Sequence, residues 1–553
     1  MKNNSKNFSS ILSSWDNALL AFVCFLMFLK RALLIKFEIN YEEGKEIECA
    51  LNIIEGKLAF RDFHWQYGPA GVYLVALLFK VLGFVNLLIP RIMVSLFAVA
   101  TTYYSYRTAR LYLNSKWSFW AALMASSGLV AREHTYGHGL AYLGMIGSFY
   151  YLVVFFQDRK RSRLLISGGF VFLALAAKPF VFGIGALIAA VFCLIWWEIL
   201  VCRSSTFWKV VKIFLLTGFV PGAILYGYLI TETSLDRMFR ELVPMASGTY
   251  NMGGGAFFKP LFPVLSLSSF QDWIPQINRY LVSNLRWWII VLTFVGGIVY
   301  LLRSKVNWGK APKQYALLFF LLIYLLLIES ETLILVSRPI SFYINMLPCY
   351  ILLAMTFRWL IDRGWVRFVR TTAILFAALY FFYPPLRLGI YHFQNSKALN
   401  FPVADTIFVP PYTWEGYHNI VSYVRESAPT DKPLLFAGYD SFVYLFSERE
   451  FYFPEDFTAF VKASFHPYNR HYAELSVDFY REIEEKIVEK IYKDPPGMIL
   501  VPSGGLSEKN YSSSIFLKYL QKNWRLDKTL NRKNIIGPFD KINLQVDVYL
   551  PKS

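Results

Sequence analysis

Apolar runs separated by short basic turns dominate the chain as far as about residue 384. Crossing a hydrocarbon core takes roughly 20 consecutive apolar residues. Runs of that order predict spans at about 15–37, 88–106, 117–131, 139–156, 164–182, 183–201, 210–230, 286–302, 314–330, 339–357 and 368–384, eleven in all. Backbone in lipid must satisfy its own hydrogen bonds, so these spans are helices, and no series of short alternating strands suggests a barrel. The run at Ala70–Gly83 is too short to cross and reads as interfacial or re-entrant. Met1–Ser14 is polar and weakly basic, and no small-residue cleavage site follows it. The first run is therefore expected to be a retained helix.

Beyond residue 384 the pattern changes. Tyr417–Glu426 and Phe479–Tyr492 read as helices, and Pro433–Ala437, Gly497–Val501 and Leu544–Leu550 as strands. Such alternation predicts a small α/β domain over 385–553. The expected fold class is an all-α polytopic membrane domain, 1–384, followed by an extracytoplasmic α/β domain. No inverted duplication of halves, a common mark of transporters, is evident.

Composition agrees: 56% of residues are hydrophobic and 17% charged, against about 25% charged in an ordinary globular domain. The net charge of +18 could suggest nucleic acid. Its placement argues otherwise. The basic residues gather as Arg107/Arg110/Lys116, Arg159/Lys160/Arg161/Arg163, Arg203/Lys209/Lys212, Arg303/Lys305/Lys310/Lys313 and Arg358/Arg363/Arg367/Arg370. If Ala70–Gly83 does not cross, all five clusters share the side of the N-terminus, which the positive-inside rule makes the cytoplasm. The outer side then receives loops 38–87, 132–138, 231–285 and 331–338 and the C-terminal domain. No CxxC occurs among the five cysteines, so neither a zinc site nor a redox motif is indicated.

Candidate chemistry concentrates in the first outer loop. Glu42-Glu43 directly follows the first span. A carboxylate near lipid has a raised pKa and can act as a general base. The competing reading is a helix start, where acidic residues suit the positive end of the dipole. Ile47, Leu51 and Ile54 then recur at helical spacing, with charges opposite, before Gly56 ends the run. That is an amphipathic helix suited to lying on a membrane. It is followed by Gly-Lys-Leu-Ala-Phe-Arg-Asp-Phe from Gly56, Tyr67-Gly68-Pro69, the short apolar helix and Pro90-Arg91.

This order resembles the first outer loop of GT-C glycosyltransferases, and is most similar to bacterial relatives of protein O-mannosyltransferases and lipid A aminoarabinose transferases. The resemblance is strongest over residues 38–200. It implies transfer of a sugar from a polyprenyl-phosphate carrier to a lipid, glycan or protein acceptor on the outer face of a bacterial inner membrane. The family usually has Asp-Glu where this chain has Glu42-Glu43, which implies that one of the two, the first by position, activates the acceptor. The family often has Lys or His before Pro-Pro where this chain reads Tyr67-Gly68-Pro69, so a phosphate-binding cation must come from elsewhere. Lys178, in Ala-Ala-Lys-Pro, occupies a place where the family carries Lys or Arg; its alternative role is snorkelling to the headgroups. Arg338, with the aromatic Tyr343 ahead of Pro348, occupies a similar place, and cations at the membrane rim commonly mark function.

Further lining of the substrate cavity is expected from Arg61, His64, Tyr67, Glu133, His134 and His138. Arg61-Asp62 also reads as a paired surface turn. His134 and His138 with Glu133 have metal-ligand spacing, but a polar cavity rim is the preferred reading, and no metal or other cofactor is assigned. A divalent cation is compatible with the spacing. Two other functions compete: an envelope glycan polymerase or ligase using diphosphate-linked oligosaccharides, and a lipid or glycan transporter.

Overall fold

The computed structural model describes residues 14–39, 41–63, 67–127, 136–197, 207–235, 347–382, 393–436, 441–450, 477–502, 515–533 and 543–552, with 65, 238, 316–318, 320–321, 386, 389–390 and 452. The helices α1 (Ser14–Leu34), α4 (Leu88–Arg110), α5 (Ser115–Ser127), α6 (Tyr136–Asp158), α7 (Arg161–Ala177), α8 (Ile184–Ile195), α9 (Phe207–Glu232), α10 (Leu347–Asp362) and α11 (Val366–Phe376) form the bundle. Each predicted span with described residues coincides with helix, and the span at 286–302 lies outside them. Among the described residues, Trp15–Leu34, Leu88–Arg110, Gly137–Asp158 and Trp208–Glu232 are long and apolar enough to cross a membrane.

Helix α6 is the centre of the bundle. Its Tyr142, Ile146, Phe149 and Val153 are buried in the main core. Small residues let α7 approach it closely: a Cβ on Gly144 would stand 2.7 Å from the Phe170 carbonyl oxygen. The outer helices show the reverse pattern. Phe22, Phe25 and Phe28 on α1, and Leu216, Phe219 and Ile224 on α9, are exposed, as lipid-facing side chains must be.

The basic clusters within the described residues meet at one end. Arg107 donates to the Tyr150 hydroxyl, Arg110 pairs with Asp16, and Trp117 packs on Phe357. That places the ends of α4, α6 and α10 beside the start of α1, away from the C-terminal part. At the opposite end Arg91, in the first turn of α4, donates to the carbonyls of Ile35, Phe37 and Glu38. The two ends of the first loop are thereby joined, with the short apolar helix α3 (Ala70–Leu82) between them.

The first loop departs from expectation in one respect. Helix α2 (Tyr41–Ile54) is amphipathic, but it does not lie on lipid with its charges in water. Glu43, Lys45, Glu46 and Glu48 are buried along with Ile47 and Ala50. The polar face is covered because the C-terminal part sits over it and supplies partners, which periodicity alone does not reveal.

That C-terminal part begins with a two-stranded antiparallel pair, β1 (Lys397–Ala398) and β2 (Phe408–Val409). Helix α12 (Pro411–Ser427), strand β3 (Leu434–Phe436), helix α13 (Phe442–Ser447), helix α14 (Val477–Lys493), strand β4 (Met498–Pro502), helix α15 (Ile515–Asn523) and strands β5 (Trp524–Lys533) and β6 (Asn543–Pro551) follow. The sheet runs β3-β4-β6-β5, with β3 and β4 parallel and the rest antiparallel. Leu435, Ile499 and Val501 face Ile487, Ile491, Phe516 and Leu520 of α14 and α15. Leu434, Phe436, Met498 and Leu500 face the other way, into a core shared with α2, α3 and α12. Burial on both faces explains why β3 and β4 read as unbroken apolar runs.

Candidate active site

Two constellations stand at the end of the bundle that faces the C-terminal part. The first is the carboxylate doublet. Glu42 and Glu43 occupy the first turn of α2. Glu43 is fully buried against Arg91. Nε and Nη2 of the guanidinium each donate to one carboxylate oxygen at 2.8 Å. The remaining Arg91 donors satisfy the carbonyls that leave α1, and Glu38 adopts a φ of 57° where its carbonyl meets Nη2 at 2.6 Å. Fork-to-fork pairing of this kind is strong and directional.

The second constellation joins three stretches far apart in sequence. Gly68 donates its N–H to the Ala177 carbonyl at 3.0 Å, on the last turn of α7. A Cβ at Gly68 would lie 2.2 Å from the Ala176 carbonyl oxygen, so only glycine allows this approach. The Trp65 indole donates to the Gly68 carbonyl and fixes the loop from the other side. The apposition places Tyr67 beside Lys178, the residue that ends α7. Nζ of Lys178 lies 5.6 Å from the Tyr67 ring centre and 4.9 Å from that of Phe182. It lies 2.6 Å from Nε2 of His138, on the first turn of α6. An ammonium can only donate, so Nε2 accepts and the imidazole is neutral. Tyr67 and Phe182 meet the His138 ring edge-on, and Tyr142 closes against Phe182. The result is a cation with aromatic walls, aimed by a histidine.

Replacing Gly68 by Ala is expected to push the loop off α7. The cost is about 1–3 kcal/mol, as for other overpacked sites. Thermal melting of the purified variant measures it, with Gly169→Ala, where an added Cβ meets nothing within 4 Å, as the neutral control.

Of the residues singled out in the sequence, Lys178, His138 and Tyr67 come together here. Arg61 does not join them. It pairs with Asp62 at 2.9 Å and Glu232 at 3.2 Å, tying the loop to the end of α9 at the surface. His64, Glu133, His134, Arg338 and Tyr343 lie outside the described residues, as does most of loop 231–285, and of Glu42 only the backbone is described. With His134 and Glu133 outside, the metal-spacing motif is represented by His138 alone. Trp65, Phe182 and Tyr142 were not assigned to the site from the sequence, and Arg91 entered only as part of the Pro90-Arg91 element, with no role given to it.

No protein-family model and no curated protein matches the chain. Solved structures do. The aminoarabinose transferase ArnT from Cupriavidus metallidurans, bound to undecaprenyl phosphate, aligns over 96% of this chain and 98% of its own, with TM-score 0.50 and 13% identity. Its apo state aligns over 96% and 97%, with TM-score 0.51 and 12% identity. The oligosaccharyltransferase AglB from Archaeoglobus fulgidus, with an inhibitory peptide and a dolichol-phosphate, aligns over 97% of this chain and 76% of its own, with TM-score 0.52 and 12% identity. At such identities the likeness is one of architecture, and with its apolar helices it makes the chain an integral membrane protein of the GT-C fold.

Proposed function

We propose that the chain is an inverting glycosyltransferase that moves a sugar from a polyprenyl-phosphate carrier to a lipid, glycan or protein acceptor. The observation that carries this reading is the Lys178 cradle. It puts a fixed cation between aromatic rings at the end of a lipid-facing bundle, where a phosphate on a membrane-anchored carrier can reach it. The fold supports it, since the similar ArnT structure holds undecaprenyl phosphate.

The chemistry is a displacement at the anomeric carbon. The acceptor oxygen attacks that carbon and gives its proton to a carboxylate. The bond from carbon to phosphate oxygen breaks on the opposite face, and the carrier departs as the phosphate. Negative charge grows on the departing oxygen, and a preorganised cation lowers the barrier most where water is excluded. Lys178 fills that role, with Arg338 and Tyr343 assigned beside it by resemblance. His138, by accepting one Lys178 N–H, holds the ammonium in place. Glu42 is the assigned base. Glu43 is already committed to Arg91 on both oxygens, and protonating it would break that pair. No metal enters this scheme. The reaction face is assigned to the outside of a bacterial inner membrane, with the N-terminus in the cytoplasm.

The test is turnover of radiolabelled polyprenyl-phosphate sugars by membranes carrying the wild type or Lys178→Ala. Wild-type membranes are expected to release label from the carrier in the presence of crude acceptor. Lys178→Ala is expected to do so about 10²–10³-fold more slowly, the usual loss on removing one charge-stabilising group. Consumption of diphosphate-linked oligosaccharide alone would replace this reading with the polymerase or ligase one.

A further inference from the structure

The C-terminal part touches the first loop on both sides of the Glu42-Glu43 doublet. Ahead of it, Phe408 on β2 donates to the Lys36 carbonyl at 2.7 Å and accepts from the Glu38 N–H at 2.9 Å, a strand-like bridge to the segment that leaves α1. Behind it, α13 lies across α2. The Phe442 ring and backbone press on Gly44, where a Cβ would stand 3.0 Å from the ring. The Ser441 hydroxyl donates to the buried Glu48 carboxylate. Phe442 is itself backed by stacked rings: Phe446 behind it, then Phe401, His418 and Trp414. Stacked aromatics of this kind form a stiff, well-packed support.

We propose that the C-terminal part is a positioning element of the reaction site, in which Ser441 and Phe442 hold α2 so that its first turn presents Glu42 to the acceptor. This rests on the transferase reading above. Neither residue touches substrate; both act through α2. A displacement of about 1 Å at a reacting group can cost around 10²-fold in rate, and α2 has no other described anchor at Gly44 and Glu48.

The joint carries its own pH signature. Burial raises the Glu48 carboxyl to about 7, with the Ser441 hydrogen bond and then the Lys45 and Lys57 charges lowering it in part. Lys45 stands on the same helix, Lys57 just after it, and Tyr444 on the facing one. The folded carboxyl holds its proton more tightly than an unfolded one. Ionisation strengthens the Ser441 hydrogen bond but leaves a buried charge that its partners offset only in part, so the packing of α2 under α13 weakens as pH rises from about 4.5 to about 7 and changes little above that.

The experiment uses the full chain in nanodiscs and compares wild type with Ser441→Ala, Ser441→Thr, Phe442→Leu and Glu48→Gln. Donor turnover is read alongside amide exchange of residues 41–54. Ser441→Ala and Phe442→Leu are expected to lower kcat by up to about 10²-fold with the donor KM unchanged, and Ser441→Thr to restore it. Exchange of α2 amides, corrected for intrinsic rates, is expected to quicken between about pH 5 and 7 in wild type, to level off above that, and to stay flat in Glu48→Gln. Wild-type kcat in Ser441→Ala and Phe442→Leu, or equal losses in kcat and KM, overturns the proposal. Absence of wild-type turnover counts against the transferase reading instead. The exchange arm then decides alone: unchanged exchange in Ser441→Ala refutes the brace, and quickened exchange upholds it.

Discussion

Glu43→Gln is expected to destabilise the protein by about 3–5 kcal/mol, the usual cost of leaving one member of a buried ion pair alone. The guanidinium of Arg91 would lose both charged contacts while remaining fully buried. It would also lose its grip on the carbonyls of Ile35, Phe37 and Glu38, since one side chain serves all these acceptors. The variant should accumulate poorly and melt well below wild type. Replacing both partners together, Glu43→Leu with Arg91→Met, should recover little of the loss: it removes the unpaired charge but leaves the carbonyls of Ile35, Phe37 and Glu38 without their donor. A Glu43→Gln protein that melts like wild type but has lost turnover would make Glu43 the base and contradict this assignment.

Glu42→Gln should behave in the opposite way. The substitution keeps the side-chain length and the helix, so melting should change by less than about 1 kcal/mol, the scale of a charge at a helix N-terminus. Turnover should fall by about 10²–10⁴-fold, the range for removing a general base. Donor binding should persist if the carrier phosphate is held at Lys178, as proposed above. Equilibrium binding of the donor to purified protein, beside single-turnover rates, separates the two effects. A variant that fails to bind donor, or one that turns over normally, would remove Glu42 from the mechanism. Together the two neighbouring variants divide the doublet into one residue that supports and one that reacts.

Much of this arrangement was legible in the sequence. The helices of the bundle were readable because lipid imposes long apolar runs. The strands β3 and β4 showed as apolar runs because both their faces are buried. Strand β5 did not, since it pairs on one side only and carries Arg525, Asp527 and Lys528 in a largely exposed row. Charged edge strands are common and imitate loops. The Lys178 cradle was half visible: the cation and Tyr67 stood out, but nothing local to Gly68 reveals that Ala176 and Ala177 lie against it. Nor can a helix's own periodicity show that its polar face will be covered by residues nearly four hundred positions away.

That separation has a consequence for how the protein comes into being. Ser441 lies 393 residues beyond Glu48, so the contact that seats α2 cannot form until most of the chain has left the ribosome. At ordinary synthesis speeds the interval is on the order of tens of seconds. The early helices can insert and pack meanwhile, with Glu43 and Arg91 paired at the start of α2, but the face of α2 at Gly44 and Glu48 stays uncovered. A nascent chain can thus pack its bundle well before α2 is covered, and the segment that covers it is made late.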